Sequence, residues 1–485
     1  MSNCIVAPDT RTFERFQFTF PEQIESEHFI VHFTTSNADS QFVNEQWLNL
    51  QCNFGYAQSV IELAEYALAI FMEADWEMMP PDCDEGITDE ESPNHCNNFG
   101  GNALYDIYLA NDAVGLVAPE NPYPVEPYIG GFTSFMQVTP LGNDHTFVPD
   151  WSVHVIAHEL HHAIQIRYGT SVSGEPGNYA YNGWLYEQTS TYMENVIFPA
   201  SYHFLVMMGN CNITSPLTYP EISIDSSVDI YQYRSALWQK FLVEAYGDST
   251  INRLIWEGFG LETATGNPVN MFPIYESALQ TVTDGVTTLG DAYQDYALWR
   301  YFTGSRSRPG EFFMQAASYC TANLLAIEET STTFPSEKGG ARLVKLLPYE
   351  TNLVLASSAY DNLLVQHISF SEEDEILMSS IEVNGEESFF QLNNPAGDNH
   401  ALLITSEYTG EPGEEIEFTL ANTVPFMEGD ITGDSMVNVQ DIIVQINIIL
   451  HQIDPTDYQW LAADLDENNV VDVLDVILLV NLILG

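Results

Sequence analysis

The hydrophobic period shifts along the chain. Apolar and polar residues alternate over 27–33 and 103–109, the period of a half-buried strand. Over 56–78 apolar residues recur every three to four positions, as on an amphipathic helix. Two stretches dense in Pro, Gly, Asn and Asp, 80–101 and 118–131, predict loops. From 146 the helical period dominates and predicts helices over 151–168, 183–196, 231–246 and 249–259. Beyond 340 short alternating segments such as 363–370 and 401–405 lie between turn residues, the pattern of a small β-sandwich. After a linker at 423–429, residues 427–485 repeat one unit twice. The expected fold class is α+β. It combines a mixed α/β part at 1–145, a helical part at 146–335, a β-sandwich at 340–424 and an all-α unit at 427–485.

Composition narrows the function. The 485 residues include 12 Lys and Arg against 69 Asp and Glu, a net charge of −57. The 45% hydrophobic content is that of a folded chain. A surface this acidic repels phosphate backbones and anionic lipids, which excludes nucleic-acid binding and polybasic membrane docking. It suits divalent cations. The most apolar run, 473–484, is too short to span a bilayer and contains Asp475 and Asn481. The N-terminus shows no basic start followed by an apolar core, so no secretion signal is expected there. Of the six cysteines, Cys83 and Cys96 flank the first loop and either close it as a disulfide or stay as buried thiols.

Residues 158–162 read His158-Glu159-Leu160-His161-His162. On a helix, positions four apart share a face, so His158 and His162 can address one ion. Glu159 lies beside them, placed to take a proton from water. Neutral imidazoles and an open position suit one zinc ion.

A third ligand is needed, and Glu187 follows His162 by 25 positions on the next expected helix. This arrangement resembles the gluzincins, zinc metallopeptidases in which a glutamate on a following helix completes two histidines. The resemblance covers residues 150–260. It implies a zincin-like catalytic domain with His158, His162 and Glu187 as zinc ligands and Glu159 as general base. Many gluzincins carry an aspartate four residues after the ligand glutamate; here that residue is Thr191. Glu194, three further on, either substitutes for it or is a helix-surface carboxylate, and the surface role is the expected one. His154 and His161 are expected to be structural or exposed, and spacing assigns no role to His145 or His203. Residues 231–238 look like the tyrosine-bearing helix of gluzincin aminopeptidases. That implies Tyr233 as the donor to the oxyanion formed during hydrolysis, with Arg234 the weaker candidate.

The duplicated unit carries a second metal chemistry. Asp430, Thr432, Asp434, Asn438 and Asp441 stand at positions 1, 3, 5, 9 and 12 of one loop, with the Met436 carbonyl at position 7. Asp464, Asp466, Asn468, Asp472 and Asp475, with the Val470 carbonyl, repeat them 34 residues later. This is the oxygen spacing of a calcium loop, so two calcium ions are expected. Ser435 and Asn469 replace the usual position-6 glycine, and Asn tolerates the left-handed backbone better. Position 12 is Asp rather than the Glu of an EF-hand. Two such loops, each with one following helix, resemble a type I dockerin. That resemblance implies calcium-dependent docking to a cohesin module on a partner protein. Loop positions 10 and 11, which help choose the cohesin, are Val439 and Gln440, then Val473 and Leu474. They are less hydroxyl-rich than in cellulosomal dockerins.

The expected protein is therefore a secreted or surface-attached zinc metallopeptidase acting on protein or peptide substrates and tethered through a dockerin. An inactive zincin-fold binding protein and an aminopeptidase are the rival readings.

Overall fold

The computed structural model describes residues 15–43, 46–84, 95–96, 101–110, 115–141, 145–169, 178–200, 202–263, 269–327, 331–335, 339–347, 350–371, 375–392, 399–406, 415–422, 427–434, 436–466 and 468–485. Most of the expected loop at 80–101, linker residues 423–426 and Ser435 lie outside them. The protein is α+β. It divides into two compact units, one of residues 1–219, 224–292 and 302–322, the other of 220–223, 293–301 and 323–485.

The first unit opens with strands β1 (Glu22–Glu25) and β2 (Phe29–Phe33), a β3 (Ser40–Val43) and β4 (Gln46–Asn49) hairpin, and helix α1 (Phe54–Glu73). Strands β5 (Tyr105–Tyr108), β6 (Gly115–Pro122) and β7 (Phe132–Val138) follow. The main sheet has the order β1-β2-β5-β7-β6. Its centre, β2-β5-β7, is parallel, and β6 runs antiparallel at one edge. Parallel strands need cover on both faces, and all four residues of β5 are buried. The polar member, Asp106, is tolerated there because Arg15 and His32 pair with it. Arg15 also reaches Asp82 and Glu120.

Helix α2 (Val153–Tyr168) packs on β6 and β7, and α3 (Asn178–Ile197) packs on α2. Next come α4 (Tyr202–Gly209), α5 (Tyr231–Arg234), α6 (Ala236–Tyr246), α7 (Thr250–Thr263), α8 (Met271–Val282) and α9 (Leu289–Tyr301). Three expectations shift. The helix expected to reach residue 78 stops at Glu73, where Asp75 turns left-handed at φ 61°. The loop expected from 118 begins as strand, because β6 pairs with β7 as far as Pro122. The helix expected over 231–246 breaks at Ser235 into α5 and α6.

In the second unit, strands β8 (Leu325–Ala326), β9 (Ser331–Pro335), β10 (Arg342–Leu346), β11 (Asn352–Ala356), β12 (Leu363–Phe370), β13 (Leu377–Ile381), β14 (Glu387–Gln391), β15 (Asn399–Ser406) and β16 (Glu415–Asn422) form two sheets. Their orders are β13-β12-β15-β10-β8 and β14-β11-β16-β9. Val344, Leu355, Val365, Leu402, Ile404 and Phe418 belong to the shared apolar core. The strands begin at Leu325, inside the stretch expected to be helical, because β8 pairs with β10 and β9 with β16.

Helices α10 (Val439–Ile449), α11 (Asp457–Ala463) and α12 (Val473–Leu484) follow around Ile431, Ile448, Ala462, Ala463 and Leu479. Each begins with a reciprocal capping box; in α10 and α12 these join Asn438 to Asp441 and Asp472 to Asp475. No helix among the described residues is long and apolar enough to cross a membrane. Cys83 pairs with Cys96 as a disulfide, and Cys211 pairs with Cys320, a link the spacing did not suggest.

Candidate metal centre

Helix α2 is buried along most of its length, so its polar residues face protein rather than water. His158, Glu159 and His162 are among them. Helix α3 lies against it and presents Glu187, also buried. One ligand atom each from His158, His162 and Glu187 fall within 4.8 Å of one another. Glu187 Oε2 stands 3.1 Å from His158 Nε2 and 3.5 Å from His162 Nε2.

The far sides of both rings define the near ones. His158 Nδ1 donates to Glu194 Oε1 at 2.6 Å. His162 Nδ1 donates to Gln165 Oε1 at 2.7 Å, and Gln165 is held in that orientation by donating its own Nε2 to the Tyr186 carbonyl. A neutral imidazole whose Nδ1 carries the proton has a bare Nε2. In that tautomer two bare nitrogens and a carboxylate oxygen point at one spot. Acceptors converging in a buried site repel unless a proton or a cation lies between them. The donor set therefore fits a zinc-type ion, with two imidazoles, one carboxylate and partners that fix each ring.

Without an ion, a proton on His158 takes the place of the cation between these acceptors. Burial opposes charge on His158, but Glu187 and Glu194 outweigh it and hold its pKa well above the usual histidine value. Burial raises the Glu187 pKa, and the two histidines more than reverse this. Burial also works against Glu194, yet His203, His158 and His154 bring it far below the carboxylate range. The site is built for positive charge.

Glu159 is fully buried on α2. It lies against Gly115 at the start of β6, where a Cβ would come within 2.5 Å of its Oε1. Sequence reasoning missed Gly115; only the pairing of β6 beside α2 reveals it. Tyr233 is half-buried, its ring stacked near His158 with centroids 5.9 Å apart. It follows two consecutive left-handed residues, Asp229 at φ 48° and Ile230 at φ 58°. Such backbone is costly for a β-branched residue and persists only where its surroundings hold it. Arg234 supplies part of that hold. Its Nη1 donates to the Thr214 and Asp229 carbonyls, both at 2.8 Å, so it pins the turn and is not aimed at His158.

Glu194 corrects the sequence reading. It is not a surface carboxylate: it is fully buried and joins His158 to His203. Seven residues are two helical turns, so it shares the face of α3 that carries Glu187. Thr191 Oγ1, the other candidate support, is buried and makes no hydrogen bond among the described residues. His161 is buried, bonded to Ser190 and set edge-on against Trp76.

The C-terminal loops gather their oxygens too. Asp430 Oδ1 accepts from Gly433 and Asp434 backbone nitrogens at 2.9 and 3.1 Å. Asp441 Oδ1 accepts from the Thr432 nitrogen at 2.9 Å. In the second loop Asp464, Asp466 and Asp475 bring carboxylate oxygens within 4.8 Å of one another. Asn469 takes the left-handed conformation expected at its position, φ 63°. Asp430, Asp441, Asp464 and Asp475 are buried, yet residues 427–485 contain no lysine or arginine. Val439, Gln440, Val473 and Leu474 are all exposed at the helix starts.

Residues 147–275, which include α2 and α3, match the model of a family of unknown function, DUF6055. No curated protein matches the chain.

Proposed function

We propose that the protein is a zinc-dependent metallopeptidase of gluzincin type, secreted or held at the cell exterior, and tethered to a cohesin-bearing partner by a calcium-loaded dockerin. The observation that carries the hydrolytic reading is the convergence of His158 Nε2, His162 Nε2 and Glu187 Oε2 beside the buried Glu159.

His158, His162 and Glu187 hold the ion, while Glu194 and Gln165 keep both rings in the binding tautomer. When bound, zinc supplies a Lewis acid that polarises a carbonyl and acidifies water. Glu159 takes a proton from the attacking water and returns it to the departing amine as the amide C–N bond breaks. Tyr233 donates its hydroxyl hydrogen to the oxygen that gains charge. Among the described residues β6 pairs only with β7, so its other edge offers backbone groups beside Glu159, which suits an extended peptide. Two disulfides and calcium-type loops accord with an extracellular setting.

Glu159→Gln tests the reading. It keeps the carbon frame and removes the base. Peptide hydrolysis should fall about 10²-fold or more with zinc content unchanged. Undiminished hydrolysis refutes the assignment.

A further inference from the structure

Beside the inner trio, a second group of metal-binding side chains converges from three helices. His154 lies one turn before His158 on α2, Glu194 two turns beyond Glu187 on α3, and His203 on α4. One ligand atom from each falls within 4.8 Å of the other two. The His154 and His203 rings stack with centroids 4.3 Å apart and planes 15° from parallel. Glu194 Oε2 accepts from His203 Nδ1 at 2.7 Å. His154 Nδ1 is buried and makes no hydrogen bond of ordinary geometry; outside the cluster the ring has only a weak interaction with the Trp151 backbone. A buried ring nitrogen so poorly satisfied is costly in a purely structural histidine and natural in a ligand. The His203 side chain is 30% exposed, which leaves an approach from solvent, whereas Glu194 is shut in.

We propose that His154, Glu194 and His203 form a second site for a divalent transition metal ion, weaker than the inner one and coupled to it through Glu194. Two imidazoles and a carboxylate are donors that zinc accepts. Glu194 Oε1 supports His158, and its Oε2 faces the outer ion. An outer dication draws charge from that carboxylate and makes His158 a poorer ligand. By linkage the inner ion weakens the outer by the same factor. Excess zinc then loosens the catalytic ion instead of saturating the enzyme.

The outer site rests on its own residues; only the coupling rests on the zinc reading above. The test is calorimetric titration of the metal-free full chain with zinc in millimolar calcium, on wild type, His154→Ala, His203→Gln and Glu187→Ala. Wild type should show a tighter and a weaker event. His154→Ala and His203→Gln should each weaken the second event about tenfold or more and retain the first. Glu187→Ala should lose the first and retain the second. A weak event that needs His154 and His203, without any tight event in wild type, upholds the outer site and refutes the inner reading. A single event abolished by Glu187→Ala alone, or two events unaltered by His154→Ala and His203→Gln, overturns the outer site. Agreement of the two outer variants guards against misfolding of either.

Discussion

Gly115 makes room for Glu159: a single carbon added at that glycine would meet the carboxylate at 2.5 Å. The strand edge and the proposed base are thus fitted to one another. Gly115→Ala should shift Glu159 without touching any metal ligand. We expect hydrolysis to fall on the order of 10²-fold, since misplacement by about 1 Å costs that much. Zinc content and unfolding temperature should stay close to wild type. Activity within a factor of two of wild type would show that Glu159 does not depend on this space.

Glu194 is predicted to act through His158. Glu194→Gln keeps the shape but loses the charge that holds the Nδ1 proton. Inner-site zinc affinity should fall about 10- to 100-fold, measured by competition with a chromogenic chelator. The pH for half-release of zinc should also rise. Unchanged affinity would show that Glu194 does not act through His158.

Calcium should hold the C-terminal segment together. Its four buried aspartates have no cationic side chain within 427–485 to offset them. Like charges buried together favour unfolding unless a cation binds. Chelation should therefore melt α10 and α12, read as lost helical circular dichroism, and readdition of calcium should restore them. Asp475→Ala should raise the calcium needed. Full helicity in chelator would contradict the calcium-loop reading.

His367 gives the β-sandwich an acid limit. Its Nε2 donates to His400 Nδ1 at 3.2 Å, because His400 Nε2 donates to the Leu347 carbonyl at 2.6 Å and leaves Nδ1 as the acceptor. Burial, then His400, pushes the His367 pKa down to about 4. The unfolded chain, with a value near 6.5, binds the proton more readily. The contribution is therefore intact above about pH 6.5 and is lost as pH falls toward 4. The unfolding temperature of the sandwich should drop across that window in wild type and drop less in His367→Gln. Parallel pH profiles would refute this.

What the sequence revealed follows from period and spacing. The four-residue step in α2 placed His158 and His162 on one face, and the oxygen spacing of the C-terminal loops was visible in both copies. Burial was not legible. Glu194 looked like any charged residue late on a helix, because spacing places it on the face of Glu187 but does not say that α2 covers that face. Gly115 and the Cys211–Cys320 link depend on segments distant in sequence, 109 residues apart for the disulfide, which no local pattern reports. The break at Ser235 was hidden because residues 231–246 keep a helical period across it, while the left-handed Asp229 and Ile230 that set its entry are unremarkable side chains.

The central claim is a zinc ion held by His158, His162 and Glu187. Elemental mass spectrometry on wild type and Glu187→Ala, after exhaustive dialysis that strips weaker sites, tests it most directly. The account predicts about one zinc per wild-type chain and almost none in the variant, as expected for a three-ligand catalytic site. Wild type without zinc, or a variant that retains as much as wild type, would contradict it.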